Sequence, residues 1–417
     1  MSAYLVEGGK ELRGTAKVHG AKNSVLPILA ATILCAGECV VHNCPDLSDV
    51  RASMDILSHL GCRVSRSVDA IAVDASALTR CDVPDELMRE MRSSVIFLGA
   101  ILARTGQAHL SMPGGCELGP RPIDLHLAAI RALGADIEER GGDLICTTPE
   151  GLHGAEINLS IPSVGATENA MLCACGAEGV TTIANAAREP EIVDLQRFLQ
   201  ALGADVKGAG TSVVTVRGGN ALHGGEYAVM PDRIVAATLL SAVAAAGGKA
   251  DILGTDYRQL STVTAVLAEA GCRVHSGGDY ISIRREAPLK GVRPIRTAPY
   301  PGFPTDAQPP VMAALCAADG TTVFVENMFE SRYRHVDELT RMGADIRVEG
   351  KVAVICGVPR LHGAAVKAAD LRGGAALVVA ALGAEGRSEI TGLEHVDRGY
   401  DRLDSTLRAL GADMTRV

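Results

Sequence analysis

The sequence predicts an α/β protein of two similar domains, each an inside-out α/β barrel of three repeated βαβαββ-type units with buried alanine-rich helices. Three observations indicate this class: a helix end that recurs six times, a second feature with the same period, and the length. The 417 residues exceed one ordinary domain and suit two of roughly 200 residues. With 47% apolar and 21% charged residues, the chain can bury a sizeable core.

The recurring helix end is a glycine that follows an apolar residue and precedes a small one. Successive glycines lie 73, 69, 68, 72 and 68 residues apart, at Gly61, Gly134, Gly203, Gly271, Gly343 and Gly411. A strand-like start follows each of them, as at Arg63-Val64. Because glycine readily adopts the left-handed conformation that ends a helix, each site predicts a helix, a cap and a strand. Six near-equal spacings indicate an internal repeat.

Alanine-rich helical stretches keep the same period. They occur near 25–36, 94–105, 168–178, 233–246, 307–318 and 373–384, and each leads through a glycine-containing turn into a short strand. A helix that is apolar on nearly every face must be enclosed, so we predict these helices in the interior. An amphipathic helix follows the strand, for example over residues 49–60.

Six such units could form an open solenoid or closed groups of three. The chain lacks the atypical polar end units of a solenoid, which favours two closed groups. We predict an N-terminal domain over residues 22–229 and a C-terminal domain of residues 1–21 plus 230–417, each with three repeats. The first 21 residues resemble an extra strand that could pair with the C-terminal domain.

Charge and cysteine usage exclude several classes of protein. The net charge of −9 argues against nucleic acid as a partner, because binding to the phosphate backbone needs a broad basic surface. The twelve cysteines are scattered singly without a CxxC pair, so we expect small buried thiols in a reducing cytosol. The longest apolar runs are too short to span a bilayer. We therefore predict a cytoplasmic protein without membrane span, metal or cofactor.

Two segments in the first half contain candidate binding or catalytic residues. Lys22 and Asn23 precede the first buried helix, where a lysine beside helix N-terminal amides can hold a phosphate or carboxylate; a solvated surface lysine is the alternative. Cys116 follows two glycines in a predicted lid loop at about 111–122. Near arginines its thiol would have a perturbed pKa and react with electrophiles, whereas the alternative is an accidental exposed thiol.

Three further segments lie at the starts of helices or carry arginines. Ser163 begins a turn before the third buried helix, which could bind an anion or a nucleotide base, or could be a plain helix cap. Asp306 is either an N-cap or a general base. Arg332, Arg372 and Arg398 could each be ordinary ion-pair partners, but their equivalent places in successive units favour convergence on one site.

With these motifs, the chain closely resembles the UDP-N-acetylglucosamine 1-carboxyvinyltransferase family of the EPSP synthase-like enolpyruvyl transferase superfamily, over essentially its whole length. The segments that carry the resemblance are residues 20–23, 116–125, 163–167, 187–191, 296–306, 370–372 and 397–400. The resemblance implies two domains of three repeated units with helices inside and an active site in the interdomain cleft. It further implies closure of the two domains, with the Cys116 loop as lid.

The resemblance also implies the chemistry. The enolpyruvyl group of phosphoenolpyruvate would pass to the 3′-hydroxyl of UDP-N-acetylglucosamine by addition–elimination with release of phosphate, the first committed step of peptidoglycan precursor synthesis. Asp306 would take the hydroxyl proton, and Cys116 would protonate the methylene carbon. Lys22, Arg121 and Arg398 match phosphate contacts, which Arg and Lys suit chemically. Fosfomycin is expected to alkylate Cys116.

The remaining residues that the resemblance assigns are substrate contacts. Arg332 and Arg372 match contacts to the carboxylate end of phosphoenolpyruvate, Asp370 matches a residue on the Cys116 side of the site, and Met328 matches an apolar wall. The uridine would lie against Arg121, Pro122, Ile123, Asp124 and Leu125, and the diphosphate would lie toward Ser163, Val164 and Gly165. The other contacts are Asn23 and Arg92. One departure is that many relatives carry a lysine where this chain has Ile161-Pro162.

Three alternatives stay open. The sister transferase that acts on shikimate 3-phosphate shares the repeats but lacks the Pro-Gly-Gly-Cys loop that precedes and includes Cys116. A non-catalytic paralogue would not need Lys22, Cys116, Asp306 and Arg398 together. A nucleic-acid-processing enzyme with a similar repeated fold is disfavoured by the acidic charge and by the 3% of aromatic residues.

Overall fold

The computed structural model describes residues 2–91, 93–111 and 123–417. This part of the chain divides into two compact units, one over residues 20–230 and the other over residues 2–19 together with 231–417. Each unit has a hydrophobic core of its own. No helix of the described ranges is both long and apolar enough to cross a membrane.

Strands and helices alternate along both units. The strands are β1 (Tyr4–Glu7), β2 (Leu12–Lys17), β3 (Glu38–His42), β4 (Arg63–Arg66), β5 (Ile71–Asp74), β6 (Asp82–Val83), β7 (Gln107–Ser111), β8 (Asp136–Arg140), β9 (Asp143–Thr147), β10 (Glu156–Asn158), β11 (Val180–Ala184), β12 (Asp205–Lys207), β13 (Val213–Arg217), β14 (Gly225–Ala228), β15 (Gly248–Leu253), β16 (Arg273–Ser276), β17 (Tyr280–Arg285), β18 (Ile295–Arg296), β19 (Thr321–Val325), β20 (Asp345–Glu349), β21 (Val352–Cys356), β22 (Ala365–Lys367), β23 (Arg387–Thr391) and β24 (Asp413–Arg416).

The helices are α1 (Lys22–Ala31), α2 (Ser48–His59), α3 (Asp85–Glu90), α4 (Phe97–Thr105), α5 (Asp124–Ala132), α6 (Val164–Cys175), α7 (Pro190–Ala201), α8 (Arg233–Ala246), α9 (Ser261–Glu269), α10 (Gln308–Leu315), α11 (Val336–Arg341), α12 (Leu371–Gly383), α13 (Leu393–Val396) and α14 (Leu403–Ala409). Short 3₁₀ segments lie at Thr32–Leu34, Ser94–Ile96, Tyr257–Gln259 and Thr305–Ala307.

The described strands form six four-stranded sheets with one common pairing pattern. In the unit over residues 20–230 the orders are β14-β3-β5-β4, β6-β7-β9-β8 and β10-β11-β13-β12. In each of these sheets the first two strands are parallel and the other neighbours are antiparallel. Because β14 pairs with β3, the end of the unit returns to its start. The described sheets stay separate and form no closed barrel.

The second unit repeats this pattern, and two strands from the start of the chain, β1 and β2, belong to its sheets. Its sheets have the orders β16-β17-β15-β2, β18-β19-β21-β20 and β22-β23-β1-β24. The segment before α1 forms two strands where the sequence predicts one. β2 pairs parallel with β15, and β1 pairs antiparallel with both β23 and β24. The last repeat therefore receives its third strand from the start of the chain.

The six alanine-rich helices are buried, as predicted. α1, α4 and α6 contribute to the core of one unit, and α8, α10 and α12 to the core of the other. Small side chains let these helices approach closely. A Cβ placed on Gly383 of α12 would lie 2.8 Å from the carbonyl oxygen of Ala245 in α8, closer than a side chain tolerates.

The six helix-ending glycines have the predicted conformation. Their φ angles lie between +91° and +108°, and a strand begins two residues after each. A Leu-X-Gly motif, not recognised in the sequence, keeps the same period at residues 12–14, 152–154, 222–224, 289–291 and 361–363. The backbone N–H of its middle residue, for example His153, donates to the last carbonyl of the surface helix, here Leu133 at 3.0 Å. The motif therefore caps the helix that the glycine ends.

Candidate active site

In the second unit, two buried arginines bind one carboxylate. Nη2 of Arg332 donates to Oδ1 of Asp306 at 2.8 Å, and Nε of Arg372 donates to Oδ2 at 3.1 Å. The two arginine side chains are only 2% exposed, and that of Asp306 is 27% exposed. Burial, the largest single influence, lowers the pKa of Arg372, but Asp306, Tyr400 and Asp232 together outweigh it and raise the pKa of this guanidinium. Arg332 and Arg372, two of the three arginines for which convergence on one site was predicted, thus meet at Asp306.

The segment that contains Asp306 is held by a carboxylate that, unlike Asp306, is fully buried. Glu326, at the end of β19, is 1% exposed and accepts hydrogen bonds from the hydroxyls of Thr297 at 3.0 Å and Thr305 at 3.1 Å. It also accepts the backbone N–H of Met328 at 2.8 Å. α10 begins at Gln308 without a side-chain cap, so the plain N-cap interpretation of Asp306 is wrong.

Asp370 caps the helix that carries Arg372. Its Oδ1 accepts the backbone N–H groups of Arg372 at 3.0 Å and Gly373 at 2.9 Å. Oδ2 of Asp370 and both ring nitrogens of His335 have no hydrogen-bond partner among the described residues, although all three atoms are buried. Burial lowers the pKa of His335 to about 4, against the opposing effect of Asp370, so the ring is neutral at pH 7.

Two other predicted residues of this unit lie nearer the surface. Met328 is 40% exposed, and a methionine so exposed is available to contact a ligand. Arg398 lies in the turn after α13 and is half-buried.

In the first unit, Lys22 is buried and paired, so the alternative of a solvated surface lysine is wrong. Its Nζ lies 2.7 Å from Oδ2 of Asp49, and the two side chains are 10% and 2% exposed. Lys22 is the first residue of α1, and Asn23 follows it with intermediate exposure. The pair fixes an ammonium group at a helix N-terminus, where the helix dipole favours anions.

A buried carboxylate in α7 secures the same end of α1. Asp194 accepts a short hydrogen bond from the hydroxyl of Ser24 and another from the hydroxyl of Tyr227, at 2.6 Å. It also accepts the backbone N–H of Met230 at 3.1 Å. Burial raises the pKa of Asp194, although these hydrogen bonds act in the opposite direction. The network fixes the orientation of α1 within its unit.

The starts of α5 and α6 are joined through a histidine. His126 of α5 packs against Gly165, where an added Cβ would lie 2.8 Å from the ring. Nδ1 of His126 accepts a hydrogen bond from Nδ2 of Asn169 at 2.8 Å, while Oδ1 of Asn169 accepts the N–H of Gly99 at 2.8 Å. α5, which begins with Asp124 and Leu125 directly after Ile123, therefore packs against α6, whose first two residues are Val164 and Gly165. Ser163 is the N-cap of α6, accepting the N–H of Ala166 at 3.4 Å.

Farther along α6 is a buried acidic side chain, Glu168. Burial, together with nearby Glu191 and Glu189, raises the pKa of Glu168 well above its usual value. Glu189 and Glu191 belong to one of the segments that carry the family resemblance. Ile161, just before α6, is 63% exposed.

Four predicted site residues, Arg92, Cys116, Arg121 and Pro122, lie outside the described residues. Within the described ranges, no group of three histidine, cysteine, aspartate or glutamate side chains could hold a metal ion. The second unit thus provides two buried guanidinium groups with one carboxylate between them, and the first unit provides a buried ammonium group at a helix N-terminus.

Sequence reasoning missed several buried polar residues of these networks. They are Asp49, His126, Asn169, Glu326, His335 and Tyr400, all less than 10% exposed. For some of them, the amino-acid sequence contains a feature that could have indicated a buried polar role. Glu326 directly follows the apolar strand β19, and Asn169 interrupts an alanine-rich helix, so each is a polar residue that an apolar setting does not explain.

Comparison with known proteins gives four matches: one family model, two relatives and one solved structure. A sequence model of the family described as EPSP synthase (3-phosphoshikimate 1-carboxyvinyltransferase) matches residues 6–407. The chain is 50% identical to UDP-N-acetylglucosamine 1-carboxyvinyltransferase 2 of Caldanaerobacter subterraneus subsp. tengcongensis, covering 100% of both chains. It is 48% identical to UDP-N-acetylglucosamine 1-carboxyvinyltransferase 1 of Symbiobacterium thermophilum, covering 99% of this chain and 95% of the relative. The crystal structure of the enolpyruvyl transferase NikO from Streptomyces tendae matches with a TM-score of 0.89 at 27% identity, covering 100% of this chain and 99% of that one.

Proposed function

This chain belongs to the EPSP synthase family, and we propose that it transfers the enolpyruvyl group of phosphoenolpyruvate to the 3′-hydroxyl of UDP-N-acetylglucosamine, with release of phosphate. The reaction would supply a peptidoglycan precursor. The observation that carries the proposal is the Arg332–Asp306–Arg372 cluster, two desolvated cations around one carboxylate, in a chain whose full-length relatives carry the name of this activity.

The proposed mechanism is addition followed by elimination. The sugar hydroxyl oxygen bonds to C2 of phosphoenolpyruvate while Cys116 delivers a proton to C3, which becomes a methyl group. Asp306 accepts the hydroxyl proton; a carboxylate has about four lone-pair sites, so the two arginine contacts leave acceptor capacity. In the adduct, the Cys116 thiolate takes a proton from C3 as the C2–O bond breaks with its electron pair on the phosphate oxygen, which restores the double bond. Asp306 then gives its proton to the released phosphate.

Cations of two kinds would bind phosphoenolpyruvate. Arg332 and Arg372 would face its carboxylate, and the planar guanidinium suits a bidentate contact. Support comes from Nη1 of Arg372, which has no hydrogen-bond partner among the described residues and is thus a donor left for a ligand. Lys22, Arg121 and Arg398 would bind the phosphate. The pairing of Lys22 with Asp49 favours an ammonium group held in one position.

The nucleotide would lie against the segment from Arg121 to Leu125 and the start of α6. The packing of His126 against Gly165 supports this, because it ties the two segments together. Backbone N–H groups at Val164 and Gly165 would face the diphosphate. Met328 would form an apolar wall, and Ile161 replaces a diphosphate contact with an exposed apolar side chain.

The remaining proposed substrate contacts are Asn23, Arg92, Pro122, Ile123, Asp124, Ser163 and Asp370. We assign Asp370 to the Cys116 side of the site. Its buried Oδ2, without a partner among the described residues, supports a polar contact made only when substrate is bound.

The description of the matching family favours one alternative acceptor, shikimate 3-phosphate. The test is phosphate release from phosphoenolpyruvate with each acceptor, by wild type and Cys116→Ala. We expect release only with UDP-N-acetylglucosamine, and a fall of about 10²–10⁴-fold in the variant, as is typical for loss of a general acid. Release only with shikimate 3-phosphate would contradict the proposed acceptor. No release with either would favour a non-catalytic paralogue.

We further propose that fosfomycin alkylates Cys116 and that the protein works in the cytoplasm. In the described ranges all cysteines are free, and only Cys81 and Cys356 are less than fully buried, which supports a reducing compartment. Mass spectrometry after fosfomycin treatment should find one adduct, on Cys116. Cys116→Ala should take up none, and Cys81→Ala, the matched control, should take up one. An adduct elsewhere would refute the assignment.

A further inference from the structure

Arg372 rests on a tyrosine to which no role has been assigned. Its guanidinium carbon lies 5.4 Å from the centre of the Tyr400 ring, and Arg372 and Tyr400 are each 2% exposed. A cation over an aromatic face is attracted by the ring quadrupole, and the attraction is stronger where water is excluded. The Arg372 guanidinium also donates a hydrogen bond to the Tyr400 hydroxyl, while its Nε and Nη2 atoms contact Asp306.

The Tyr400 hydroxyl is tied to another buried helix. It lies 2.8 Å from Oγ1 of Thr238 in α8. The Thr238 hydroxyl also donates to the carbonyl oxygen of Ile234 at 3.0 Å, which uses its only proton. The Tyr400 hydroxyl must therefore be the donor to Thr238. This bond fixes the far end of the ring, since Thr238 is 2% exposed and held by its helix.

The backbone next to Tyr400 is pressed against the helix that carries Arg372. A Cβ on Gly399 would lie 2.8 Å from the side chain of Leu371, and a Cβ on Gly374 would lie 2.6 Å from that of Val396. Only the absence of side chains at both positions allows this approach. The ring of Tyr400 is therefore fixed at both ends, by the turn at Gly399 and by Thr238.

We propose that Tyr400, anchored by Thr238, is a positioning residue that sets the plane of the Arg372 guanidinium for binding of the phosphoenolpyruvate carboxylate. The Nε and Nη2 atoms of Arg372 then stay in contact with Asp306, and Nη1, which has no hydrogen-bond partner among the described residues, stays positioned to donate to the ligand. The inference rests on the proposed function for the identity of the ligand. It requires only a small carboxylate ligand at Arg372, whatever the acceptor.

The test compares Tyr400→Phe, Thr238→Val, the double variant and Tyr400→Leu. Loss of one net hydrogen bond, about 0.5–1.5 kcal/mol, predicts a rise of roughly 2–10-fold in KM for phosphoenolpyruvate in each single variant. The double variant should show no more than the effect of Tyr400→Phe, because the bond to Tyr400 that Thr238→Val removes is already lost in Tyr400→Phe. Tyr400→Leu also removes the ring face and should raise this KM by roughly 10–30-fold. KM for UDP-N-acetylglucosamine should stay within about twofold.

The matched control is Thr264→Val. Thr264 is 1% exposed in the same unit, and its hydroxyl donates to the carbonyl of Leu260 at 3.0 Å, four residues earlier, as in Thr238. It should lower the unfolding temperature about as much as Thr238→Val while leaving KM for phosphoenolpyruvate unchanged. If Thr264→Val raises this KM as much as Thr238→Val, or if Tyr400→Phe leaves it unchanged, the inference is wrong.

A second measurement separates this inference from the proposed function. Thermal unfolding at increasing concentrations of phosphoenolpyruvate gives the concentration at which half of the maximal stabilisation is reached. This measurement requires no turnover. If the wild type transfers nothing to UDP-N-acetylglucosamine, the proposed function is wrong. A higher half-maximal concentration of phosphoenolpyruvate in the Tyr400 variants would still support the positioning of Arg372 by Tyr400. A wild type that phosphoenolpyruvate does not stabilise would overturn both.

Discussion

Replacing Asp306 by asparagine tests the cluster at the centre of the candidate site. The change keeps the size of the side chain but removes the negative charge that the two arginines share. Arg332 also donates to the carbonyl oxygen of Thr305 at 2.9 Å, whereas Asp306 is the carboxylate that contacts both guanidinium groups. Asp306→Asn therefore leaves two guanidinium groups without this counter-ion, each 2% exposed.

The expected cost follows from burial. Removing one partner of a buried ion pair costs about 3–5 kcal/mol, because the other charge stays desolvated. Asp306 is 27% exposed, so we expect the lower end, about 3 kcal/mol. For a unit of this size each kcal/mol shifts the unfolding temperature by about 2–4 °C, which predicts a fall of about 6–12 °C.

Two assays separate stability from chemistry. Thermal unfolding measures the loss of the counter-ion, and phosphate release measured well below the unfolding temperature reports on the proton acceptor. We expect release to fall by about 10²–10⁴-fold. Phosphoenolpyruvate should stabilise Asp306→Asn more than wild type, because its carboxylate supplies a replacement charge.

The control is Asp256→Asn, which breaks an exposed pair with Arg258 and should cost at most about 1 kcal/mol. An unfolding temperature of Asp306→Asn within about 2 °C of wild type would refute the energetic reasoning. Wild-type phosphate release in that variant would refute the role of Asp306 as base.

Three further predictions concern buried charge, acidity and backbone. Asp49→Asn should cost about 3 kcal/mol in urea unfolding because it removes the negative charge of a buried ion pair with Lys22, whereas Asp46→Asn, in an exposed pair, should cost less than about 1 kcal/mol. Burial lowers the pKa of His335 to about 4, so as the pH falls from 6.5 toward 4 the unfolded chain takes up a proton that the folded chain does not. The contribution of His335 to the free energy of unfolding is therefore complete above pH 6.5 and is lost as the pH falls toward 4. His335→Gln should therefore flatten the decline in urea stability between pH 7 and 4.5 by on the order of 1–3 kcal/mol, and an unchanged slope would exclude His335 as its cause. Gly411→Ala should cost about 1–2 kcal/mol by thermal unfolding because the φ angle of Gly411 is +91°, whereas the nearest atom lies 4.0 Å from the new Cβ and leaves room for it. A neutral result would show that the backbone conformation does not require glycine at this position.

The repeated architecture was predictable because its signals are local. A cap glycine and the strand after it lie within a few residues of each other, so Gly61 and Gly134 reveal their roles in the sequence alone. The burial of the alanine-rich helices followed from the lack of any polar face. The third strand of the last sheet was not predictable in this way, because β1 pairs with strands at the opposite end of the chain.

The candidate site was predictable as a set of residues but not as an arrangement. Asp306 and Arg372 were both singled out, yet their contact spans 66 residues and no local pattern encodes it. The bond between Thr238 and Tyr400 spans 162 residues, and a threonine inside an alanine-rich helix gives no sign of its partner. Lys22 resembles a surface residue in the sequence because Asp49, which makes its burial possible, belongs to the next helix.

The most direct test of the central claim is the mass of the product formed from phosphoenolpyruvate and UDP-N-acetylglucosamine in deuterium oxide. Addition of a proton to C3 followed by loss of one from the methyl group must place solvent deuterium in the vinyl group. The account predicts an enolpyruvyl ether of UDP-N-acetylglucosamine that carries this deuterium, formed by wild type and nearly abolished in Cys116→Ala. An ether without deuterium would contradict addition–elimination, and no ether of this acceptor would contradict the proposed function itself.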